Sequence, residues 1–157
     1  YIKCSKNPVY FAKNYVKIIN VDKGLVPFKL YKFQKEMVET FNANRFSICK
    51  LPRQSGKSTT VTAYILWLIL FKDSQNIAIL ANKGSLARDL LGKIQFADEY
   101  LPKWLQQGIV VWNKGNIELE NSSKVVAAAT SSSAIRGGSY NMIFLDDFAF
   151  VGIILAE

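Results

Sequence analysis

The longest apolar run in the chain, "AYILWLILF" at residues 63–71, constrains the fold more than any other feature. It falls well short of the roughly 20 residues that cross a bilayer, so it reads as a helix buried in a protein core. A chain of 157 residues can supply that core as one domain. Half of its residues are apolar, which argues against a disordered tail. The helix is expected to run from Lys57 to Phe71.

Periodicity supplies the neighbouring elements. Leu30, Phe33, Met37, Val38 and Phe41 mark one face of a helix over roughly residues 31–42. "RFSICKL" (45–51) predicts a buried strand in which Cys49 packs as a reduced thiol, and "NIAILAN" (76–82) predicts another. Residues 85–101 predict a helix with Leu86, Leu90, Leu91, Ile94 and Ala97 on its apolar face. A short helix after Pro8 and a turn at "VDKGLVP" are expected in the first 27 residues.

"IVVWNKGNIELENSSKVVAAAT" reads as three short strands, with turns at 113–116 and 121–123. "MIFLDD" is a final strand. The order argues for an α/β fold: a mainly parallel central sheet flanked by helices, plus an antiparallel β-meander. The expected organisation is an N-terminal segment 1–27 packing on a core 28–151, then a stub 152–157.

The net charge of +8 favours a polyanionic partner, nucleic acid first and an anionic membrane surface second, unless it serves only solubility. Cys4 and Cys49 have no metal-ligand spacing, and the N-terminus lacks the apolar core of a signal peptide. A reducing, intracellular compartment is therefore expected. Histidine is absent, so catalytic triads and imidazole chemistry are excluded. Any chemistry falls to carboxylates, Lys, Arg, hydroxyls and backbone amides.

"LPRQSGKSTT" (51–60) carries that chemistry. It matches the phosphate-loop pattern at Gly56, Lys57 and Ser58 but has Leu51 in place of the first glycine. Such a loop offers backbone N–H groups and a helix N-terminus to an anion. Gly56 permits close approach, Lys57 reaches the β- and γ-phosphates of ATP, and Ser58 ligates Mg²⁺. A strand leading in and a helix leading out are the context that the motif requires.

Asp146 ends the last apolar strand at the sheet edge where α/β folds bind ligands, and is expected to hold Mg²⁺ mostly through water. Asp147 is the candidate base for the attacking water. Gln34, on the apolar stripe of its helix, either reads an adenine edge or bonds to backbone or water. Arg53 lies inside the loop, where it can stabilise a γ-phosphate. Arg136, in the glycine-flanked "SSSAIRGGSYN", is either an arginine finger for a neighbouring subunit, a DNA-phosphate contact or a solvated residue.

With these residues in hand, the chain resembles the ATPase domain of the large terminase subunit of T4-like tailed phages. The blocks that carry the resemblance are "LYKFQKEMV", "PRQSGKST", "ILANKGS", "GIVVWNKGNIELENSS" and "AIRGGSYNMIFLDDFAFV", over roughly residues 28–151. The resemblance implies a P-loop NTPase of RecA/ASCE-like type, with Pro52, Arg53, Gln54, Ser55 and Thr59 joining Gly56, Lys57 and Ser58 around ATP. It implies Gln34 as the adenine reader, Asp146 as the Mg²⁺ ligand and Arg136 as a residue acting across subunits.

It further implies double-stranded DNA, a portal protein and a small terminase subunit as partners. A ring-forming homo-oligomer is implied for the full-length protein, with no membrane. The place of action would be the cytoplasm of the infected bacterial host, docked at the procapsid portal. The family usually carries Asp-Glu where this chain has Asp146-Asp147, one methylene shorter, which is expected to slow hydrolysis. The chain is expected to be truncated at its C-terminus and to lack nuclease activity. Rival expectations are one RecA-like half of a superfamily 2 helicase, and a catalytically idle nucleotide-binding or assembly module.

Overall fold

The computed structural model describes residues 1–130 and 137–146, which form two compact units. The first unit holds Tyr1–Phe71 and Ile94–Gln106; the second holds Lys72–Lys93 and the described residues from Gln107 onward. Among the described residues, no helix is long and apolar enough to cross a membrane.

In the first unit, helices α1 (Ile2–Lys6), α2 (Pro8–Tyr15) and α3 (Lys32–Ala43) surround α4 (Lys57–Phe71). Every residue of α4 from Thr60 to Leu70 is buried, which is the fate its uniformly apolar sequence dictates. Each large apolar side chain fully withdrawn from water contributes about 1.5–3 kcal/mol. Around it, Phe11 meets Phe71 edge-on at 5.4 Å, Phe41 meets Tyr64 at 5.6 Å, and the Trp67 indole donates to the Cys4 carbonyl at 2.8 Å. Helix α2 starts where the sequence places it, with Pro8 in its first turn and the Asn7 Oδ1 accepting from the Tyr10 N–H.

Between α2 and α3 runs an antiparallel hairpin, β1 (Lys17–Asn20) with β2 (Gly24–Pro27). The Asn20 side chain accepts from the N–H groups of Asp22 and Lys23, and Gly24 takes φ +70° to close the turn. The sequence reads this stretch as a turn only.

The second unit is built on a five-stranded sheet of order β4-β5-β6-β3-β7. Its strands are β3 (Asn76–Ala81), β4 (Ile109–Trp112), β5 (Asn116–Leu119), β6 (Lys124–Ala129) and β7 (Met142–Leu145). Strand β3 pairs in parallel with β6 and β7, while β4, β5 and β6 form the antiparallel meander. The sheet is therefore mixed, where a mainly parallel one is expected: the meander extends the parallel group through β6 instead of standing apart. Residues 77–81 are at most 4% exposed, as a strand covered on both faces requires. Asn76 and Asn141 clamp the start of β7, with Asn76 N–H donating to the Asn141 side chain and Asn141 N–H to the Asn76 carbonyl, both at 2.8 Å.

Helix α5 (Gly84–Glu99) gives its first part to the second unit and its last part to the first. Ala87, Leu90, Leu91, Ile94 and Ala97 are buried, whereas Leu86 is 40% exposed and leaves the expected face. One expected element is absent. Residues 45–50 carry no secondary structure and are exposed throughout, with Phe46 at 83% and Ile48 at 99%. An apolar run becomes a strand only when a neighbour takes its backbone hydrogen bonds, and neither sheet includes this run. Cys49, expected inside that strand, is exposed as well.

Candidate functional site

The chain leaves the unpaired stretch 45–50, turns at Arg53–Gly56 and enters α4 at Lys57. The loop therefore sits on the end of the most deeply buried helix of its unit, although no strand leads into it. Two of its residues take the left-handed region, Gln54 at φ +59° and Gly56 at φ +76°. Alternations of this kind gather backbone N–H groups into an anion-binding concavity. The first turn of α4 contains no acidic residue, which leaves its positive end unopposed by a carboxylate of its own. The Gly56 carbonyl accepts both the N–H (3.0 Å) and the hydroxyl (2.8 Å) of Thr60, which fixes the junction of loop and helix.

Gln34, in the first turn of α3, lies against this loop and is 3% exposed. Its Oε1 accepts from the Tyr31 N–H at 2.8 Å, one half of a capping box. Its Nε2 makes a long contact, 3.5 Å, to the Ser55 carbonyl. A methyl group on Gly56 would stand 2.6 Å from the same Nε2, so space as well as φ demands glycine there. Of the two options the sequence leaves for Gln34, bonding to backbone is the one present.

A cavity of about 910 Å³ opens beside the loop, within the size range of nucleotide-sized pockets. Gln34, Pro52, Gln54, Ser55, Gly56 and Thr59 line it from the loop side. Ile18 and Val26 of the hairpin, with Phe28 and Tyr31, close the other side. The hairpin wall is what sequence reasoning missed: the signal was the Asp-Lys-Gly turn flanked by "KIIN" and "LVP". Arg53 is exposed in the turn, and Lys57 and Ser58, partly buried, open α4; none of the three lines the cavity.

The loop's fit to a phosphate can be judged from its own atoms. The Ser55 hydroxyl is buried with no hydrogen-bond partner, and Gly56 keeps clear a space that a Cβ would fill. Both suit a close anion. Among the described residues, no group of three or more His, Cys, Asp or Glu could hold a metal. A hydroxyl and a single carboxylate suit Mg²⁺ only where phosphate oxygens and water complete its shell.

Asp146 belongs to the second unit. It follows the last residue of β7, and its N–H donates to the Leu80 carbonyl at 2.8 Å, so it stands at the carboxyl end of the parallel strands as expected. Arg136 and Asp147 lie outside the described residues.

The sequence also gave no warning of Asp98. This residue, near the end of α5, is 5% exposed with one carboxylate oxygen unpartnered. Burial, reinforced by the neighbouring Glu99, raises its pKa to about 6.

Comparison with known proteins places the chain in context. Residues 48–152 match the family described as terminase large subunit, T4likevirus-type, N-terminal. Two relatives are the tripartite terminase subunit 3 of human herpesvirus 8 type P (isolate GK18), 24% identical over 130 residues, and that of saimiriine herpesvirus 2 (strain 11), 22% identical over 130 residues. Both alignments cover 79% of this chain, which spans only 18% and 19% of those relatives. The crystal structure of the HK97 bacteriophage large terminase superimposes with a TM-score of 0.72 at 17% identity, over 90% of this chain and 30% of that one. That likeness shows a common α/β fold.

Proposed function

This chain belongs to the N-terminal family of T4-like terminase large subunits, and from that premise we propose that it binds ATP with Mg²⁺ and hydrolyses it to drive DNA packaging. The observation that carries the reading is the cavity in which Gln34, Gln54, Ser55, Gly56 and Thr59 meet beside the N-terminus of α4. A triphosphate there lies along the loop amides, with Lys57 supplying positive charge to the β- and γ-phosphates. Mg²⁺, held by Ser58 and Asp146 with phosphate oxygens, neutralises charge that develops in phosphoryl transfer.

Arg53 is assigned to the γ-phosphate and Asp147 to orienting the attacking water. Arg136 is assigned to the site of a neighbouring subunit. Because a finger supplied in trans is missing from a lone copy, slow turnover is expected of the isolated chain.

The basic balance of the chain suits double-stranded DNA as the translocated partner. By family, a portal protein, a small terminase subunit and further copies in a ring complete the machine, at the procapsid in the host cytoplasm. Isothermal titration with ATP·Mg²⁺, repeated on Lys57→Ala, tests the core of the proposal. Weaker binding by the variant is expected; equal affinity in both proteins would overturn it.

A further inference from the structure

We propose that Gln34 is a positioning residue that struts the phosphate loop, and that it does not read the base of the nucleotide. The inference rests on the reading of this loop as a triphosphate site, and concerns how that site is held in shape.

A glutamine amide has one oxygen acceptor and one two-hydrogen donor. To read an adenine edge it must present both, side by side, to the ligand. In Gln34 the two ends are committed to different parts of the protein. Oε1 accepts the Tyr31 N–H at 2.8 Å and so completes the cap of α3. That bond fixes the side chain, and the fixed side chain aims Nε2 at the Ser55 carbonyl, 3.5 Å away. Nε2 also abuts Gly56 so closely that even a methyl group there would stand 2.6 Å from it. With 3% of the residue exposed, little of the amide is left for a base.

The loop needs such a strut. Gln54 holds a left-handed conformation that a non-glycine residue adopts only at a cost. No β-ladder supports residues 45–50 on the N-terminal side. The loop is thus held from one end by α4, through Gly56 and Thr60, and from the side by Gln34. Sequence-local capping and loop geometry are coupled through a single side chain: the residue that starts α3 also sets the backbone that receives the phosphates.

Two neutral or cap-retaining variants separate this role from base reading. Gln34→Met removes the strut without adding charge near the phosphates. Dissociation constants for ATP, GTP and inorganic tripolyphosphate, each with Mg²⁺, are expected to rise together by about three- to tenfold. Loss of ATP affinity alone, with tripolyphosphate unchanged, would make Gln34 a base reader and overturn the inference.

Gln34→Glu keeps the Oε acceptor for the Tyr31 N–H but loses the donor to Ser55. In the ligand-free protein, trypsin is expected to cut after the exposed Arg53 about tenfold faster in this variant. Cutting after Lys50, outside the strutted turn, should be unchanged, which rules out general loosening. An unaltered ratio of the two cuts would also overturn the inference. If the wild-type protein binds none of the three ligands, the functional reading fails while the proteolysis ratio still decides the role of Gln34.

Discussion

Asp146 and Leu80 are joined by a backbone hydrogen bond of 2.8 Å, from the N–H of Asp146 to the carbonyl of Leu80. The carboxylate is thereby mounted on the end of β3, whose residues 77–81 are at most 4% exposed. Asp146→Asn keeps this main-chain bond and the size of the side chain while removing the charge. Mg²⁺-dependent phosphate release is expected to fall about 100-fold or more. Release at the wild-type rate, with circular dichroism confirming the fold, would remove Asp146 from the metal role.

Gly56→Ala is expected to abolish nucleotide binding without unfolding the chain. The new Cβ meets Nε2 of Gln34 at 2.6 Å and the backbone must hold φ +76°. Adding Gln34→Ala relieves the collision but leaves the backbone strain, a cost of about 1–2 kcal/mol. Titration should therefore show partial recovery in the double variant. Full recovery would mean that the strain is unimportant, and no recovery that the contact is.

Trp67 ties two distant stretches of the first unit by its bond to Cys4 and its ring contacts with Tyr64 and Phe71. Trp67→Phe removes the indole donor and leaves the buried Cys4 carbonyl short of a partner, at a cost of about 1–3 kcal/mol. Trp67→Ala adds a cavity and should cost about 3–5 kcal/mol. Urea denaturation followed by circular dichroism measures both.

Asp98 makes stability depend on pH in an unusual direction. Its folded-state pKa of about 6 lies above the ordinary 3.8, so the folded protein holds the proton more tightly than the unfolded chain. Its contribution is fully present below about pH 4 and is lost as pH rises to about 6, then stays flat. The loss is about 3 kcal/mol. Asp98→Asn should therefore match the wild type near pH 4 and exceed it above pH 6.5 in Tm. A variant that is less stable at pH 8 would show that the charged form has a partner.

The legible parts of this chain are those in which a residue's environment follows from its near neighbours. Helix α4 is nine apolar residues in a row after a polar turn, and it folds as that sequence demands. The meander was legible because Asn-Lys-Gly-Asn carries its own turn chemistry, and Asp146 because an apolar strand ends there.

Residues 45–50 were misread because a strand is a property of pairs. "RFSICK" has the composition of one, yet no ladder includes it. Gln34 shows the same limit at the site. Its helical position was readable, but its contact with Ser55, 21 residues away, was not. Asp98 sits on a polar stretch of sequence, and only three-dimensional packing reveals that it is buried.

Helix α4 divides its duties along its axis, and that division governs how the chain can vary. From Thr60 to Leu70 every position is enclosed, so nearly any polar or oversized replacement is penalised there. Lys57, Ser58 and Thr59 are only partly buried and carry no such packing veto. The first turn can thus be remodelled for different ligands while the rest of the helix preserves the fold. In a laboratory evolution experiment on this chain, new phosphate-site chemistry would be sampled in three residues, and tolerance to it would be supplied by the eleven that follow.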